Sequence, residues 1–203
     1  PMSIMVGSSR SARRGILFKN GTVFEKTPVI NAVAFDKTGT LTVGKPMVTD
    51  ILGKDLTILA SMEKASSHPL SLAILEKAEE EQLTLIPDIH VEEIPGFGLK
   101  ATIEGHQYKV GSLNFIKEDS SISLEMLKQI EAYHLNGKTT VILSRDNEVT
   151  TIVAIKDTVK DSALGAIKKL HEMGIATYLL TGDHELVANS LAKEVGIEAN
   201  QVK

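Results

Sequence analysis

The chain has 203 residues, of which 42% are hydrophobic, and this apolar content allows either one large core or two smaller ones. A formal net charge of −4 without a basic run argues against nucleic-acid binding, and the absence of cysteine excludes disulfides and thiolate metal sites. The longest apolar runs fall short of the ~20 residues of a membrane-spanning helix, so we expect a soluble chain that binds divalent ions through oxygen or imidazole.

The first twenty residues begin with apolar side chains and continue with four basic ones, Arg10, Arg13, Arg14 and Lys19. A secretory signal peptide would carry its charges first, so this order argues against one. Two interpretations follow from these residues alone. The segment is either a surface amphipathic helix or the cytosolic end of a membrane helix, with basic residues at the inner face of the membrane.

The next part of the chain predicts one strand and then a mixed block. Residues 31–35 are apolar and β-rich, which predicts a buried parallel strand that ends at Asp36. The block that follows is expected to contain helices at 55–66 and 69–82, β segments at about 89–94, 99–104 and 107–110, a helix near 124–133, and strands at 139–143 and 148–155. This block is α+β and antiparallel in character.

The last fifty residues alternate between helix and strand. We predict a helix at 159–173, a strand at 175–180, a turn at Thr181-Gly182-Asp183 and a helix at 185–195. Such alternation is typical of a parallel, doubly wound sheet. Because residues 31–35 have the same buried character, the simplest architecture is one α/β domain built from both ends, with the middle block inserted.

Two polar turns would then meet at one edge of the parallel sheet, where open α/β sheets bind their ligands. A carboxylate at Asp36 can attack a phosphoryl group and form an aspartyl phosphate. Lys37 and the amides of residues 38–40 can orient phosphate oxygens, Thr181 can donate a hydrogen bond, and magnesium would shield the two anions. For an isolated Asp-x-Thr-Gly, a carboxylate that caps its own turn is the simpler explanation.

Two motifs carry a family resemblance. DKTGTLT at 36–42 resembles the phosphorylation signature of P-type cation-transporting ATPases, and TGD at 181–183 resembles the second motif of their phosphorylation domain. Asp157 resembles the aspartate at the hinge back from the inserted domain, next to ATP, although a turn or helix-start charge is an alternative. The resemblance implies that Asp36 is the phosphorylated nucleophile. Its implied catalytic neighbours are Lys37, Thr38, Thr181, Gly182 and Asp183.

The resemblance also implies the fold and its division. We expect a haloacid-dehalogenase-like, doubly wound phosphorylation domain, split and incomplete, with an inserted α+β nucleotide-binding domain that contains an antiparallel sheet. We expect the end of a membrane helix and a linker at 1–28 and the first part of the phosphorylation domain at 29–46. The nucleotide-binding domain is expected at 47–150 and the truncated second part of the phosphorylation domain at 151–203.

The insertion resembles that of the heavy-metal-transporting branch. SSHPLSLAI at 66–74 is similar to the His-Pro motif of this branch, Gly96-Phe97-Gly98 is similar to its glycine pair, and Glu63 stands five residues before His68. By this resemblance Glu63 and His68 would hold the adenine of ATP, while Gly96 and Gly98 let the backbone approach the nucleotide. Alone, His68 would be an ordinary helix-start residue and Gly-x-Gly a weak motif. Ser67 replaces the glutamate often found before the His-Pro pair.

The start of the chain resembles the segment that leaves the metal-binding membrane helix in copper-type members, which favours the membrane-helix interpretation. Copper is the expected cargo, with zinc, cadmium or another soft metal as the alternative. The other histidines are scattered without the spacing of a metal site, and we expect each to be surface or structural: His90, His106, His134, His171 and His184.

The chain stops at Lys203 without the GDGxND segment of the family, so the resemblance implies a truncated phosphorylation domain. The expected cofactors are ATP and Mg²⁺, with Asp36 and Thr38 as magnesium ligands and the remaining ligand beyond Lys203. Soluble phosphatases of the wider superfamily usually carry a second aspartate where this chain has Thr38, so we expect a long-lived phosphoenzyme.

The resemblance therefore predicts the cytosolic region of an integral membrane protein, whose partners are ATP, a heavy-metal cation and the actuator and membrane domains. We expect no nucleic-acid partner, and we expect the fragment itself to be weakly active or inactive. The alternatives are a soluble phosphatase that uses Asp36 and a nucleotide-binding module without catalysis.

Overall fold

A computed structural model describes residues 2–26 and 30–203 of the chain. Its eighteen elements include eight strands: β1 (Ala32–Asp36), β2 (Met47–Gly53), β3 (Val91–Ile94), β4 (Gly98–Ile103), β5 (His106–Gly111), β6 (Thr139–Arg145), β7 (Glu148–Lys156) and β8 (Ala176–Leu180). The α-helices are α1 (Met2–Ala12), α2 (Gly21–Lys26), α3 (Leu56–Glu63), α4 (Pro69–Glu80), α5 (Leu113–Lys117), α6 (Leu124–Leu135), α7 (Asp161–Glu172) and α8 (Glu185–Val195). Lys37–Leu41 form a turn in which Thr38 and Gly39 have non-helical dihedral angles, and Ala199–Gln201 form a short 3₁₀ helix.

The N-terminal segment is helical in α1 and α2, and no side chain of α1 is buried. Across residues 2–26 and 30–203, none of the helices combines the length and apolar character needed to cross a bilayer. Pro1 and the predicted boundary between residues 28 and 29 lie outside the described residues.

The inserted block forms a six-stranded antiparallel sheet in the order β2-β7-β6-β5-β4-β3. The antiparallel character was predicted, but β2 was not, because its alternation of apolar and polar residues is short. The expected boundary at residue 150 falls inside β7, which continues to Lys156. The division of the chain at that residue stays a prediction.

Helices cover both faces of this sheet. On one face α3 and α4 pack against β-strand residues such as Leu99 and Val153, and on the other α5 and α6 pack against Ile142 and Ile152. Because both faces are covered, the interiors of β6 and β7 are almost continuously buried, and their apolar residues form the runs 141–143 and 152–155 rather than alternating. The five-residue helix α5 was missed because it is too short to show a helical period.

The two ends of the chain form a parallel pair, β1 with β8, followed by α8. Phe35 and Leu179 are register partners, and this face packs against Ile167 of α7 and Leu191 of α8. The parallel pairing is as predicted, but the expectation that β1 is fully buried is wrong. Every second residue of β1, including Ala34, is exposed, because the described helices cover only the Phe35 face.

Two adjacent segments connect the parallel pair to the six-stranded sheet. Thr42 and Val159 form an antiparallel bridge, and Val43 N–H donates to the Thr158 carbonyl at 2.8 Å. Lys160 N–H donates to the Leu41 carbonyl at 2.9 Å. The mixed α/β fold with an inserted antiparallel sheet is therefore as expected, and the double connection forms the floor of a cleft between the two units.

Candidate functional site

Asp36 is the last residue of β1. Its register partner is Leu180, so Thr181 follows at the same edge of the sheet. Among the described residues, the Asp36 side chain has no hydrogen bond or ion pair, and it is exposed. The turn after it is held by Thr42, whose Oγ1 accepts from Gly39 N–H and donates to the Lys37 carbonyl, both at 3.2 Å. Asp36 therefore does not cap its own turn.

The TGD turn, Thr181-Gly182-Asp183, lies beside Asp36 and is tied to it through Lys37. The Lys37 ammonium forms an ion pair with Asp183. Thr181 Oγ1 donates to Asp183 Oδ2 and accepts from Asp183 N–H, both at 3.2 Å. Thr139 of β6 also donates to Asp183 Oδ1, at 3.4 Å. The two predicted turns thus meet, with Lys37 engaged by a carboxylate.

Asp157 lies at the double connection. Its carboxylate accepts from Gly44 N–H at 3.1 and 3.2 Å and from Lys45 N–H at 3.2 Å. Gly44 adopts a φ of 78°, which favours glycine and brings both amides towards Asp157. Asp157 therefore joins the outgoing connection to the returning one through these hydrogen bonds, and its assignment as a hinge residue next to ATP stays a prediction.

A cavity of about 610 Å³ runs along the cleft. Its walls come from the parallel pair, from the double connection and from the inserted block: Asp36, Lys37, Thr38, Thr181, Gly182, Asp183, His184, Asp157, His68, Ser112, Asn114, His134 and Thr139. The predicted residues of the phosphorylation motifs and His68 are thus brought together in one space.

His68 caps the first turn of α4 and presents its ring to the cavity. Its Nδ1 accepts from Leu70 N–H at 3.2 Å, and Pro69 occupies the first helical position, where a missing N–H does no harm. Because Nδ1 is an acceptor, the neutral imidazole carries its proton on Nε2. The side chain is exposed, so Nε2–H is available to a ligand.

Glu63 is not part of the cavity wall. It is only 6% exposed, and its Oε2 accepts a 2.5 Å hydrogen bond from Ser71 in the first turn of α4. Burial raises the pKa of the Glu63 carboxyl, while the Ser71 hydrogen bond acts in the opposite direction. In this structure Glu63 anchors the helix that begins at His68.

The two glycines of Gly96-Phe97-Gly98 differ in their surroundings. Gly96 has a φ of 80°, and a Cβ there would meet no atom within 4 Å. A Cβ at Gly98 would lie 2.1 Å from the Val110 carbonyl oxygen and 2.9 Å from the Phe115 ring. The positive φ favours glycine at Gly96, whereas at Gly98 the protein itself fills the space. Neither glycine lines the first cavity, and their close approach to a nucleotide stays a prediction.

Two histidines expected to be surface or structural line the cavity. His134 of α6 is 4% exposed, its Nε2 lies 2.9 Å from Thr140 Oγ1, and its ring centroid lies 4.4 Å from that of His184. Burial, together with the neighbouring His184, lowers the pKa of His134 to about 4. No sequence motif pointed to this pair, since the two residues are far apart in the chain and meet only across the cleft.

The remaining histidines lie away from the cavity. His106 contacts Asp146 at 2.6 Å, His171 Nε2 lies 2.7 Å from Thr177 Oγ1, and His90 lines a second cavity of about 430 Å³ on the inserted sheet. The sequence also gave no sign that Ser112 and Asn114 would reach the first cavity, because α5 was not predicted.

The oxygen donors beside Asp36 suit Mg²⁺ in kind. Asp36 offers a carboxylate that has no partner among the described residues, and Thr38 lines the same space. Mg²⁺ prefers oxygen ligands. Within the part of the chain that the structure describes, no group of three or more His, Asp or Glu could hold a metal by itself. Magnesium here would thus share its coordination with ligand phosphates and water.

The family described as haloacid dehalogenase-like hydrolase matches residues 30–201. The chain belongs to this family. It is also 44% identical over 201 residues to "Copper-exporting P-type ATPase" of Staphylococcus aureus strain JH9, and 43% identical to the protein of the same name in strain bovine RF122 / ET3-1. These alignments cover 98% of the chain but 25% of each relative, so the chain spans about a quarter of their length.

Solved structures of transporting ATPases are also similar to this chain. The chain is 33% identical, with a TM-score of 0.66, to a zinc-transporting PIB-type ATPase in the E2.Pi state, over 98% of this chain and 33% of that one. The catalytic domain of the CPx-ATPase CopB-B gives a TM-score of 0.70 at 26% identity, over 97% of this chain and 69% of that one. The expected resemblance to heavy-metal P-type ATPases is confirmed by these relatives.

Proposed function

We propose that the chain is the ATP-binding and phosphorylation region of a heavy-metal P-type ATPase, with Asp36 as the phosphoryl acceptor. The observation that carries the proposal is the single cavity shared by Asp36, Asp157 and His68. A nucleotide that contacts His68 with its base could extend its phosphates along the cleft towards Asp36. The proposed nucleotide-binding unit is the six-stranded sheet with its helices, and the proposed phosphorylation unit is the parallel pair with α7 and α8.

In the proposed reaction a carboxylate oxygen of Asp36 attacks the γ-phosphorus of ATP. The bond from that phosphorus to the bridging oxygen breaks, ADP leaves with the electron pair, and an aspartyl phosphate remains. Bound Mg²⁺, held by Asp36, Thr38 and the phosphates, would neutralise charge on the phosphate oxygens. Thr181 Oγ1 and the backbone amides of the turn after Asp36 are the proposed donors to the transferred group.

Lys37 has a role that follows from its ion pair with Asp183. An ammonium held between the two motifs reduces the repulsion between Asp183 and an incoming phosphate. Thr38, which lines the cavity, offers no carboxyl group to activate water, so we propose that the phosphoenzyme awaits another domain for its hydrolysis.

The proposed cargo is copper, and the proposed location is the cytosolic face of a membrane, where the actuator and membrane domains of the same protein are the partners. The support for copper is that the 44% identical relatives are named copper-exporting P-type ATPases, whereas the zinc-transporting protein is 33% identical. Zinc and other soft metals are the alternative cargo.

Titration of ATP against the chain tests the nucleotide site. We expect His68→Gln to weaken ATP binding by about tenfold, the equivalent of one lost hydrogen bond. His90→Gln is the matched control, because His90 is an exposed histidine that lines the second cavity, and its affinity should equal that of the unchanged chain. Equal affinities for both variants would remove His68 from the site, and no binding by the unchanged chain would refute the proposed function.

A further inference from the structure

Gly98 and Gly111 face each other in the register of β4 and β5, above a buried aromatic ring. A Cβ at Gly111 would lie 2.6 Å from the Phe97 carbonyl oxygen and 2.7 Å from the Phe115 ring. A Cβ at Gly98 would also meet that ring. The Phe115 ring therefore fills the space that both glycines leave, and it also lies 6.0 Å from the ring of Phe97.

Phe115 is held in turn by a buried cation. The Lys109 side chain is only 8% exposed, and its Nζ lies 3.9 Å from the centre of the Phe115 ring. The same Nζ donates to the Phe115 carbonyl at 2.6 Å and to the two carboxylate oxygens of Asp119 at 3.1 and 3.2 Å. Lys109 thus satisfies a carbonyl of α5, contacts the ring face and forms ion pairs with Asp119 and, at 3.7 Å, with Glu118.

The helix that Lys109 holds also forms part of the cavity wall. Ser112, Leu113 and Asn114, at the start of α5, line the first cavity together with His68. Ser112 Oγ accepts from Phe115 N–H at 3.4 Å, which links this wall to the ring. A displacement of α5 would therefore move the cavity wall and the support beneath the glycines together.

We propose that Lys109 is a positioning residue for nucleotide binding, which fixes Phe115 and α5 and thereby the Gly96-Phe97-Gly98 turn and the cavity wall. This inference rests on the proposed nucleotide-binding function. Lys109 acts through Phe115, since it lines the second cavity and not the first. The directional contacts of its ammonium fix α5 more tightly than apolar filling of the same volume would, so less conformational freedom is lost when a ligand binds.

The chain offers a matched control for this inference. Lys100 is the register partner of Lys109, on the same face of the sheet, but it is exposed and its Nζ lies 5.9 Å from the Phe115 ring. Lys109→Met and Lys100→Met remove the same charge from the same face. We expect Lys109→Met to weaken ATP binding by about fivefold to tenfold and Lys100→Met by less than about twofold. If folded Lys109→Met and folded Lys100→Met bind ATP with equal affinity, the inference is overturned.

A readout without nucleotide separates this inference from the proposed function. In amide NMR spectra of the ligand-free chain, Lys109→Met should shift or broaden the signals of Gly96, Gly98 and Gly111, whereas Lys100→Met should leave them in place. If these shifts appear while the unchanged chain does not bind ATP, the positioning is supported and the nucleotide function fails. If binding is seen but these signals do not change, Lys109 does not position the turn.

A second variant covers the case in which Lys109→Met does not fold. Asp119→Asn keeps the hydrogen bond from Lys109 to the Phe115 carbonyl and the longer ion pair with Glu118 at 3.7 Å, but it removes the ion pair with the half-exposed Asp119 carboxylate. We expect ATP affinity to fall by about twofold to threefold, with smaller shifts of the same glycine signals. Unchanged signals and affinity in folded Asp119→Asn would overturn the inference.

Discussion

Acidification should destabilise the chain through His134. Burial lowers the pKa of this histidine from 6.5 to about 4, so the folded state favours the neutral ring. The contribution of the neutral His134 ring to stability is complete above the pKa of this histidine in the unfolded chain. It is lost as the pH falls from 6.5 to about 4. A shift of this size corresponds to about 3 kcal/mol once both states are protonated.

The measurable part of this loss lies above the range in which most carboxylates titrate. Between about pH 7 and about pH 5.5, the His134 contribution alone should lower the free energy of unfolding by about 1 kcal/mol. Glu63 acts with the opposite sign, because its raised pKa favours folding when the carboxyl is protonated, so stability from this group is lost as the pH rises. A comparison of variants at both pH values removes the Glu63 contribution.

Urea unfolding of the unchanged chain, His134→Gln and His90→Gln at the two pH values is the assay. His134→Gln should show about 1 kcal/mol less loss on acidification than the unchanged chain, while the exposed His90→Gln should show the full loss. If His134→Gln loses as much stability on acidification as the unchanged chain, then burial does not hold His134 neutral in the folded state, and the reasoning fails.

Three further predictions concern Asp157, the glycines of Gly96-Phe97-Gly98 and Asp36. Asp157→Ala should lower the free energy of unfolding by about 1 to 2 kcal/mol in urea, because the Gly44 and Lys45 amides lose their acceptor, and no loss would mean that water replaces the clamp. Gly98→Ala should lower the free energy of unfolding by about 3 kcal/mol, because the new methyl group would clash with a carbonyl oxygen. Gly96→Ala should lower it by about 1 kcal/mol, through backbone strain alone. A higher melting temperature for Gly98→Ala than for Gly96→Ala would contradict this packing. Asp36→Asn should raise the affinity for magnesium-free ATP by about threefold to fivefold, since an unpaired carboxylate no longer faces the phosphates, and an unchanged dissociation constant would mean that the phosphates do not reach Asp36.

Local sequence patterns predicted most of the elements. The helix α8 has the predicted bounds, 185–195, and the break between α3 and α4 falls at His68-Pro69 as expected. These features depend on periodicity, capping and proline, which act between neighbours in the chain. β2 and α5 were missed because each is too short or too mixed for a pattern. β2 is held by its pairing with β7, and α5 is held by packing against the sheet.

The exposed side chains of β1 show that amino-acid composition alone does not predict which face of a strand is covered. Its residues are apolar enough for a fully buried strand, yet only the Phe35 face meets helices among the described residues. The sequence could say that the strand is β-rich and parallel, because its pattern matches that of β8. Which face is covered depends on where other elements pack.

By itself the sequence determined the chemistry of the site: an acidic residue at the end of a parallel strand, a glycine-threonine turn, and a second polar turn expected at the same edge. Only the tertiary structure decided how these groups are used. It leaves Asp36 without a partner among the described residues, pairs Lys37 with Asp183, and joins Asp157 to a connection 113 residues away. These outcomes depend on distances between groups far apart in the chain, and hydrogen bonds and ion pairs form only where folding brings their atoms within reach.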